Sequence, residues 1–150
     1  SYSELGDYAN TLLYYEKSLA IEKELENLSG ISLSYNNIGN VYRLQGRFKE
    51  TLEMYIESLK IKEQLGEKNG MATTYCNISG LNNMLADSSS HNNTQKSAYL
   101  LKAVEFGLKA YELSLEIEAL PMINYSASEL VRAYTKQANY KEALKFANIS

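Results

Sequence analysis

The sequence predicts an all-α solenoid, built from repeated pairs of antiparallel helices. When the chain is shifted so that Tyr15 falls on Tyr55, thirteen pairs are identical in one unbroken register, among them Asn37 with Asn77. Between the glycine-containing turns, apolar residues recur at three- and four-residue steps, which is the spacing of one helix face. Such a helix pair cannot bury its apolar face alone, so neighbouring pairs stack.

Composition agrees with one globular domain and excludes several classes of protein. The 150 residues are 45% hydrophobic and 22% charged, with a net charge of −3. This acidic balance argues against a general nucleic-acid binder, which presents an excess of cations to phosphates. No apolar run approaches the ~18 residues of a membrane span, and no signal peptide opens the chain. We expect a cytoplasmic location, with the periplasm as the alternative.

The turns divide the chain into seven predicted helices. Gly46 can adopt the left-handed conformation that commonly closes a helix, and Phe48 begins the next one. Gly30, Gly70 and Pro121 mark other turns. A fragment of an earlier helix is expected at 1–5, because the chain begins and ends in mid-pattern like a piece of something longer. The predicted helices are 7–27, 31–45, 48–67, 70–86, 97–119, 122–137 and 140–149.

The repeat register shifts once. The register that pairs Tyr15 with Tyr55 fails after Ala86, and from Ala98 the repeat resumes in a later register that pairs Thr51 with Ala103. The shift indicates an insertion at 87–98. We predict that 87–97 form a mobile surface loop, since this polar stretch offers no apolar residue to offset its ordering entropy. The repeats are then 1–30 (partial), 31–69, 70–120 with the insertion, and 121–150 (partial).

Large apolar and aromatic residues at repeated positions are the expected core. Tyrosines at these positions are interpreted as packing residues with the hydroxyl near an edge, not as an aromatic cage. The expected core residues are Leu12, Tyr15, Leu19, Tyr35, Ile38, Tyr42, Phe48, Leu52, Tyr55, Leu59, Tyr75, Ile78 and Leu130.

The repeat resembles a known family. Tyr35-x2-Ile38-Gly39-x2-Tyr42 followed by Thr51-x3-Tyr55 is similar to the tetratricopeptide pattern W-x2-L-G-x2-Y then A-x3-F. The length of the repeat, which runs from Asn37 to Asn77, resembles that of the longer variants found in kinesin light chains and bacterial peptide receptors. The closing proline of the pattern is absent.

The resemblance implies a binding groove lined by the first helix of each pair. In the family, Asn at the position of Asn37 and Asn77 contacts the backbone of a bound peptide. Asn is a poor helix former, so several in mid-helix need a reason, and an amide both donates and accepts hydrogen bonds. The alternative is that these amides bond to neighbouring helices or to water. The expected groove residues are Asn36, Asn37, Asn40, Arg43, Asn77, Asn83, Met84 and Arg132.

Catalytic motifs are missing from the sequence. No phosphate-binding loop occurs, and the only Cys (Cys76) and the only His (His91) lie on different segments. We therefore expect no enzyme, no cofactor and no metal.

The function expected is that of a protein- or peptide-binding scaffold, the sensor or interaction region of a larger signalling protein. The alternative is a structural module that forms homo-oligomers through its ends. Neither nucleic acid nor a membrane is an expected partner.

Overall fold

The computed structural model describes residues 2–89 and 91–149, with side chains from Gly6 onward. Within these residues the chain forms seven helices and no strand, which confirms the all-α prediction. No helix among them is long and apolar enough to cross a membrane. The helices are α1 (Tyr2–Glu24), α2 (Leu28–Leu44), α3 (Phe48–Leu65), α4 (Lys68–Ser88), α5 (Asn93–Glu116), α6 (Leu120–Lys136) and α7 (Tyr140–Ala147).

The predicted boundary before residue 7 is wrong. Gly6 lies inside α1, so the expected fragment at 1–5 is the start of that helix. A β-carbon at Gly6 would meet nothing within 4 Å. Since Gly is tolerated in a helix at a cost of about 1 kcal/mol, an isolated Gly need not end one.

The insertion is helical, so the prediction of a surface loop at 87–97 is also wrong. α4 continues to Ser88 and α5 begins at Asn93, which leaves only 89–92 between them. Asn92 caps α5, because its side chain accepts a hydrogen bond from the Gln95 backbone N–H at 3.0 Å. The insertion therefore lengthens the end of α4 and the beginning of α5 beyond their counterparts α2 and α3. Extension of a helix that is already packed avoids the cost of nucleation, so polar residues can continue it.

The chain divides into two compact units, Ser1–Glu67 and Lys68–Ser150, called unit 1 and unit 2 below. Unit 1 contains α1 to α3, and α2 packs against both of the others. Unit 2 contains α4 to α7, where each helix packs antiparallel to the next and α4 also packs against α6.

Small residues bring α2 and α3 of unit 1 close together. The Ser58 hydroxyl donates to the Ser32 carbonyl at 2.9 Å, and both serines are buried. Gly39 faces the ring of Tyr55, which is 1% exposed. At this contact a small residue on one helix therefore packs against a large residue on the other.

In unit 2, small residues likewise allow close contacts between α4, α5 and α6. The Ser79 hydroxyl of α4 donates to the Ala103 carbonyl of α5 at 2.7 Å. Gly107 of α5 lies against Leu130 of α6, which is fully buried. The core beyond this contact contains Ala127, Leu130, Tyr134, Ala143 and Phe146.

Residues with a left-handed backbone conformation follow the ends of several helices, at positions that align in the repeat. Gly46 and Gly66 have φ of 73° and 66°, and Glu26, Glu118 and Ala138 have φ of 53°, 54° and 56°. Glu26 and Glu118 align with Gly66 in the repeat, and Ala138 aligns with Gly46. The turn geometry is thus kept even where the glycine is lost.

The core prediction is confirmed for six of the thirteen residues, and the others are half-buried. Leu12, Tyr15 and Leu19 lie on α1, which packs only against α2 within unit 1. The Arg47 guanidinium lies over the half-buried Tyr42 ring, 4.2 Å from its centre. The six buried residues are Ile38, Tyr55, Leu59, Tyr75, Ile78 and Leu130.

Candidate binding faces

The eight predicted groove residues lie on three helices in the two units. Unit 1 carries four of them on α2, while unit 2 carries three on α4 and one on α6. Each unit therefore presents its own candidate face. The residues are Asn36, Asn37, Asn40 and Arg43 on α2, Asn77, Asn83 and Met84 on α4, and Arg132 on α6.

On α2, one of the three asparagines has a structural role. The Asn40 side-chain oxygen accepts a hydrogen bond from the Tyr55 hydroxyl of α3. Burial raises the pKa of that hydroxyl, and Arg43 partly opposes the shift. Asn36 and Asn37 are half-buried, and their side chains make no hydrogen bond within the described part of the chain. Two amides on α2 are therefore available to a ligand.

In unit 2, α4 and α6 run parallel and form one polar surface, here called the α4/α6 face. Asp87 of α4 contacts two cations of α6: the Arg132 guanidinium at 3.0 Å and the Lys136 ammonium at 2.6 Å. Partial burial opposes ionisation of Asp87, but the hydrogen bonds and charges of Lys136 and Arg132 outweigh it and lower the pKa of Asp87. The face consists of Asn77, Met84, Asp87, Tyr125, Arg132 and Lys136.

Asn83 does not line an open surface, in contrast to the prediction. It is fully buried, and its amide donates to the Glu129 carboxylate at 2.8 Å and to the Glu129 carbonyl at 3.1 Å. It therefore joins α4 to α6. Asn82, its neighbour, is also buried and donates to the Ile78 carbonyl at 2.9 Å. For these residues, as for Asn40, the structural interpretation of the asparagines holds.

Asn77 differs from these buried residues. It is half-buried, and its side chain makes no hydrogen bond within 2–89 and 91–149. On α6, Tyr125 is 39% exposed, and its hydroxyl lies where it would meet a β-carbon on Gly80 at 3.3 Å. Gly80 thus permits the close approach of α4 and α6 beneath this face.

Asp87 is a residue of this face that the sequence analysis assigned to a different kind of structure. It was assigned to the inserted loop, whereas the structure places it on the last turn of α4. The signal was present, because Asn77, Gly80, Met84 and Asp87 follow one another at three- and four-residue steps. Only continuation of the helix past Ala86 brings Asp87 into this row.

The inserted turns also form a cleft of about 470 Å³ at one end of unit 2. Asn93, Lys96 and Ser97 come from the added turns of α5, and Lys136 and Gln137 come from the end of α6. Leu100 and Leu101 complete the lining. Because Lys136 also bonds Asp87, the cleft adjoins the α4/α6 face.

No reactive centre is evident among the described residues. Burial, and secondarily the charge of Glu129, raises the pKa of the Cys76 thiol to about 12, so the thiolate is scarce at neutral pH. The described residues include no group of three or more His, Cys, Asp and Glu side chains arranged to hold a metal ion.

Comparison with known proteins finds a repeat motif in part of the chain and a solved structure with a similar fold. Residues 30–90 match the model of the tetratricopeptide repeat. Among solved structures, the chain resembles BtubC (BKLC) from P. vanneervenii, with a TM-score of 0.76 and 16% sequence identity. The similarity covers 98% of this chain and 56% of that one, so the chain spans just over half of the structure it matches. No curated protein matches the chain.

At 16% identity the likeness to BtubC shows the fold alone. The family match adds the repeat motif over α2, α3 and α4, where Gly39 faces Tyr55 as the pattern requires. Together with the antiparallel helix pairs of both units, these findings show that residues 30–90 match the tetratricopeptide repeat and that the chain has a helical-repeat fold similar to that of BtubC.

Proposed function

We propose that this protein is a non-catalytic scaffold that binds an extended peptide or a protein segment. Tetratricopeptide repeats as a family are protein-interaction scaffolds, which is the coarse basis of the proposal. The finer proposal is that each unit has its own ligand-binding face: the exposed part of α2 in unit 1, and the α4/α6 face in unit 2. We further propose that the chain is the interaction region of a larger signalling protein.

The observation that carries the proposal is the contrast between two sets of mid-helix asparagines. Asn40 and Asn83 are committed to neighbouring helices. Asn36, Asn37 and Asn77 have no such partner in the described residues. Each lowers helix stability by about 0.5 kcal/mol relative to Ala, with no bond in return. An amide that donates and accepts matches the groups of a peptide backbone.

The α4/α6 face favours a ligand recognised by amide and aromatic contacts more than by charge. Asp87 contacts both Arg132 and Lys136, and the Glu129 carboxylate lies 3.9 Å from the Arg132 guanidinium, so two carboxylates balance these two cations. Tyr125 offers a partly exposed ring with a polar end, a combination enriched at protein interfaces. An acidic peptide would have to displace Asp87 before it could pair with these cations.

The site chemistry also supports a binding role over catalysis. Cys76 is fully buried, with a thiol pKa of about 12, which disfavours a nucleophile. His91 lies between α4 and α5, on a different segment.

Selection from a library of random dodecapeptides on the immobilised protein, followed by titration of the selected peptide, tests the proposal. Asn77→Ala should weaken binding about tenfold, because the peptide groups it pairs with would be left without a partner. Asn37→Ala should do the same for a peptide that contacts unit 1. The matched control is Asn10→Ala, an exposed mid-helix asparagine on α1, which should leave the affinity unchanged.

Thermal melts of the same variants separate binding from stability. The melting temperature should stay constant or rise slightly, because Ala is the better helix former. Unchanged affinity together with a lower melting temperature in Asn77→Ala would show that this asparagine is structural, and would contradict the proposal.

A second candidate function is self-association through the end of unit 2. Tyr140 and Leu144, one helical turn apart on α7, are 62% and 68% exposed. Light scattering over a range of concentrations tests it: the double variant Tyr140→Ser, Leu144→Ser should abolish any concentration-dependent increase in mass.

A further inference from the structure

The internal repeat relates α1 to α3 and α5 position by position. The register that pairs Tyr15 with Tyr55 aligns Tyr14 of α1 with Met54 of α3, and the register after the insertion aligns Met54 in turn with Phe106 of α5. In the same two registers, Ile21 aligns with Ile61 and Leu113. The contacts of these positions in α3 and α5 therefore indicate which contacts the aligned positions on α1 can make.

In α3 and α5 these positions pack against the helix that precedes them. The β-carbon of Met54 lies 3.1 Å from where a β-carbon on Gly39 of α2 would be. The ring of Phe106 lies 6.0 Å, centre to centre, from that of Tyr75 on α4. Both residues are half-buried as a result. The preceding helix thus covers the position aligned with Tyr14 in both units, and Ile61 and Leu113 at the position aligned with Ile21 are half-buried.

On α1 the same row is uncovered. Within unit 1, α1 packs only against α2, which follows it in the chain. Tyr14 is 69% exposed and Ile21 is 56% exposed. The small residues differ in burial in the same way. Thr51 and Ser58 of α3 are fully buried, whereas Thr11 and Ser18 at the aligned positions of α1 are only half-buried.

The position of Lys17 indicates which residue type a helix covering this row would contribute. Lys17 aligns with Lys109, whose ammonium lies over the rings of Tyr75 and Phe106 at 6.0 and 5.3 Å. Tyr14 already supplies the ring that corresponds to Phe106. The second ring would come from a residue aligned with Tyr75, that is, with Tyr35 of α2.

We propose that this row of α1 (Thr11, Tyr14, Ser18 and Ile21) docks an amphipathic helix of the α2 type, supplied by a separate partner protein. α2 is the template because its partner α3 shares Thr, Tyr and Ser with α1 at the aligned positions Thr51, Tyr55 and Ser58. The docked helix carries an aromatic residue at the position of Tyr35 and a glycine at the position of Gly39. The glycine admits the Tyr15 ring as Gly39 admits that of Tyr55.

The probe is a synthetic, dye-labelled peptide with the sequence of residues 27–46, titrated with the full protein by fluorescence anisotropy. We expect saturable binding. The double variant Tyr14→Ser, Ile21→Ser removes two side chains that the peptide would bury, so the affinity should fall about tenfold or more. A peptide with Gly39→Leu should bind at least about tenfold more weakly, because the added side chain would meet the Tyr15 ring.

The control is the double variant Leu101→Ser, Leu115→Ser on α5, whose side chains are 66% and 48% exposed. It should bind the peptide like the unchanged protein. Both double variants should melt like the unchanged protein, because the altered residues are exposed. A peptide that displaced α2 would contact Leu12 and Leu19 on the other side of α1 and would be insensitive to Tyr14 and Ile21.

Absence of binding up to the solubility limit of the peptide overturns the proposal, as does equal binding to the Tyr14→Ser, Ile21→Ser variant. Light scattering of the protein without peptide tests whether a second copy of the chain covers the row. If the protein dimerises and this double variant is monomeric, a second copy covers the row, and a separate partner helix is refuted.

Discussion

Replacement of Gly39 by Ala tests the close approach of α2 to α3. A β-carbon at this position would lie 2.9 Å from two ring carbons of Tyr55 and 3.1 Å from the β-carbon of Met54. The Tyr55 ring has little room to retreat, because it is 1% exposed and its hydroxyl donates to Asn40. The clash must therefore move the ring or separate the two helices.

Two opposing terms set the magnitude. Ala in a helix interior is more favourable than Gly by about 1 kcal/mol. Overpacking of a dense contact costs about 1–3 kcal/mol. Since the ring is held at both its face and its hydroxyl, we expect the upper part of that range. The free energy of unfolding should therefore fall by about 1–2 kcal/mol.

The assay is equilibrium urea unfolding followed by circular dichroism, with Gly6→Ala as the matched control. Gly6 also lies in a helix of unit 1, but a β-carbon there would meet nothing within 4 Å. Gly6→Ala should stabilise by about 0.5–1 kcal/mol, so the two identical substitutions should have opposite signs.

A double-mutant cycle with Tyr55→Leu identifies the clash directly. If the Tyr55 ring opposes the new methyl group, Gly39→Ala should cost less when the ring is absent. The reasoning is refuted if Gly39→Ala stabilises the protein as much as Gly6→Ala does, or if its effect is independent of Tyr55.

Four further substitutions probe unit 2 and the turns. Asn83→Ala removes a donor to the buried Glu129 carboxylate and should lower the free energy of unfolding by about 1.5–3 kcal/mol in urea titrations. Ala138→Gly relieves a φ of 56° and should raise the melting temperature, with a gain of about 1 kcal/mol, whereas Gly46→Ala at the aligned position should lower it. Asp87→Asn should lower the melting temperature at pH 7. Because the folded-state pKa of Asp87 is lowered, its contribution is present above the unfolded pKa of about 4 and is lost below it, so acid melts of the two proteins should converge.

Each of these has an outcome that contradicts it. Asn83→Ala should differ clearly from Asn124→Ala, an exposed asparagine on α6, and equal effects would mean that the bond to Glu129 contributes nothing. A loss of stability in Ala138→Gly would show that left-handed strain is absent at that turn. A difference between Asp87→Asn and the unchanged protein that stays constant from pH 7 to pH 2 would mean that its ion pairs have no part in stability.

Much of the fold could be predicted from the sequence because repeats carry redundant information. The identities between 1–40 and 41–80 give the same helix positions twice, so turns such as the one at Gly46 are marked independently. The predicted helix boundaries were wrong where the two copies of the repeat differ in structure. The break predicted between 1–5 and 7–27 falls at Gly6, which aligns with the turn residue Gly46, yet of these two only Gly46 has the left-handed conformation.

The candidate faces were predicted only in part. Helical periodicity places Asn37, Asn77 and Arg132 on the first helices of their pairs, but it does not reveal which amides have partners. Asn77 and Asn83 lie on the same helix, less than two turns apart, and only the position of Glu129 on α6 makes Asn83 a buried link. Contacts between segments so distant in sequence are not encoded in local spacing.

By itself, the sequence determined the helical class, the repeat and the family resemblance, because these depend on local periodicity and on residue size at repeated positions. The tertiary structure alone decided the fate of the insertion and of Asp87. A polar stretch without periodicity predicts a loop, yet within 87–97 only 89–92 lie outside the helices, and the rest extends α4 and α5. Asp87 then met Arg132 and Lys136 because α4 and α6 lie side by side, a pairing that arises only when distant segments pack together.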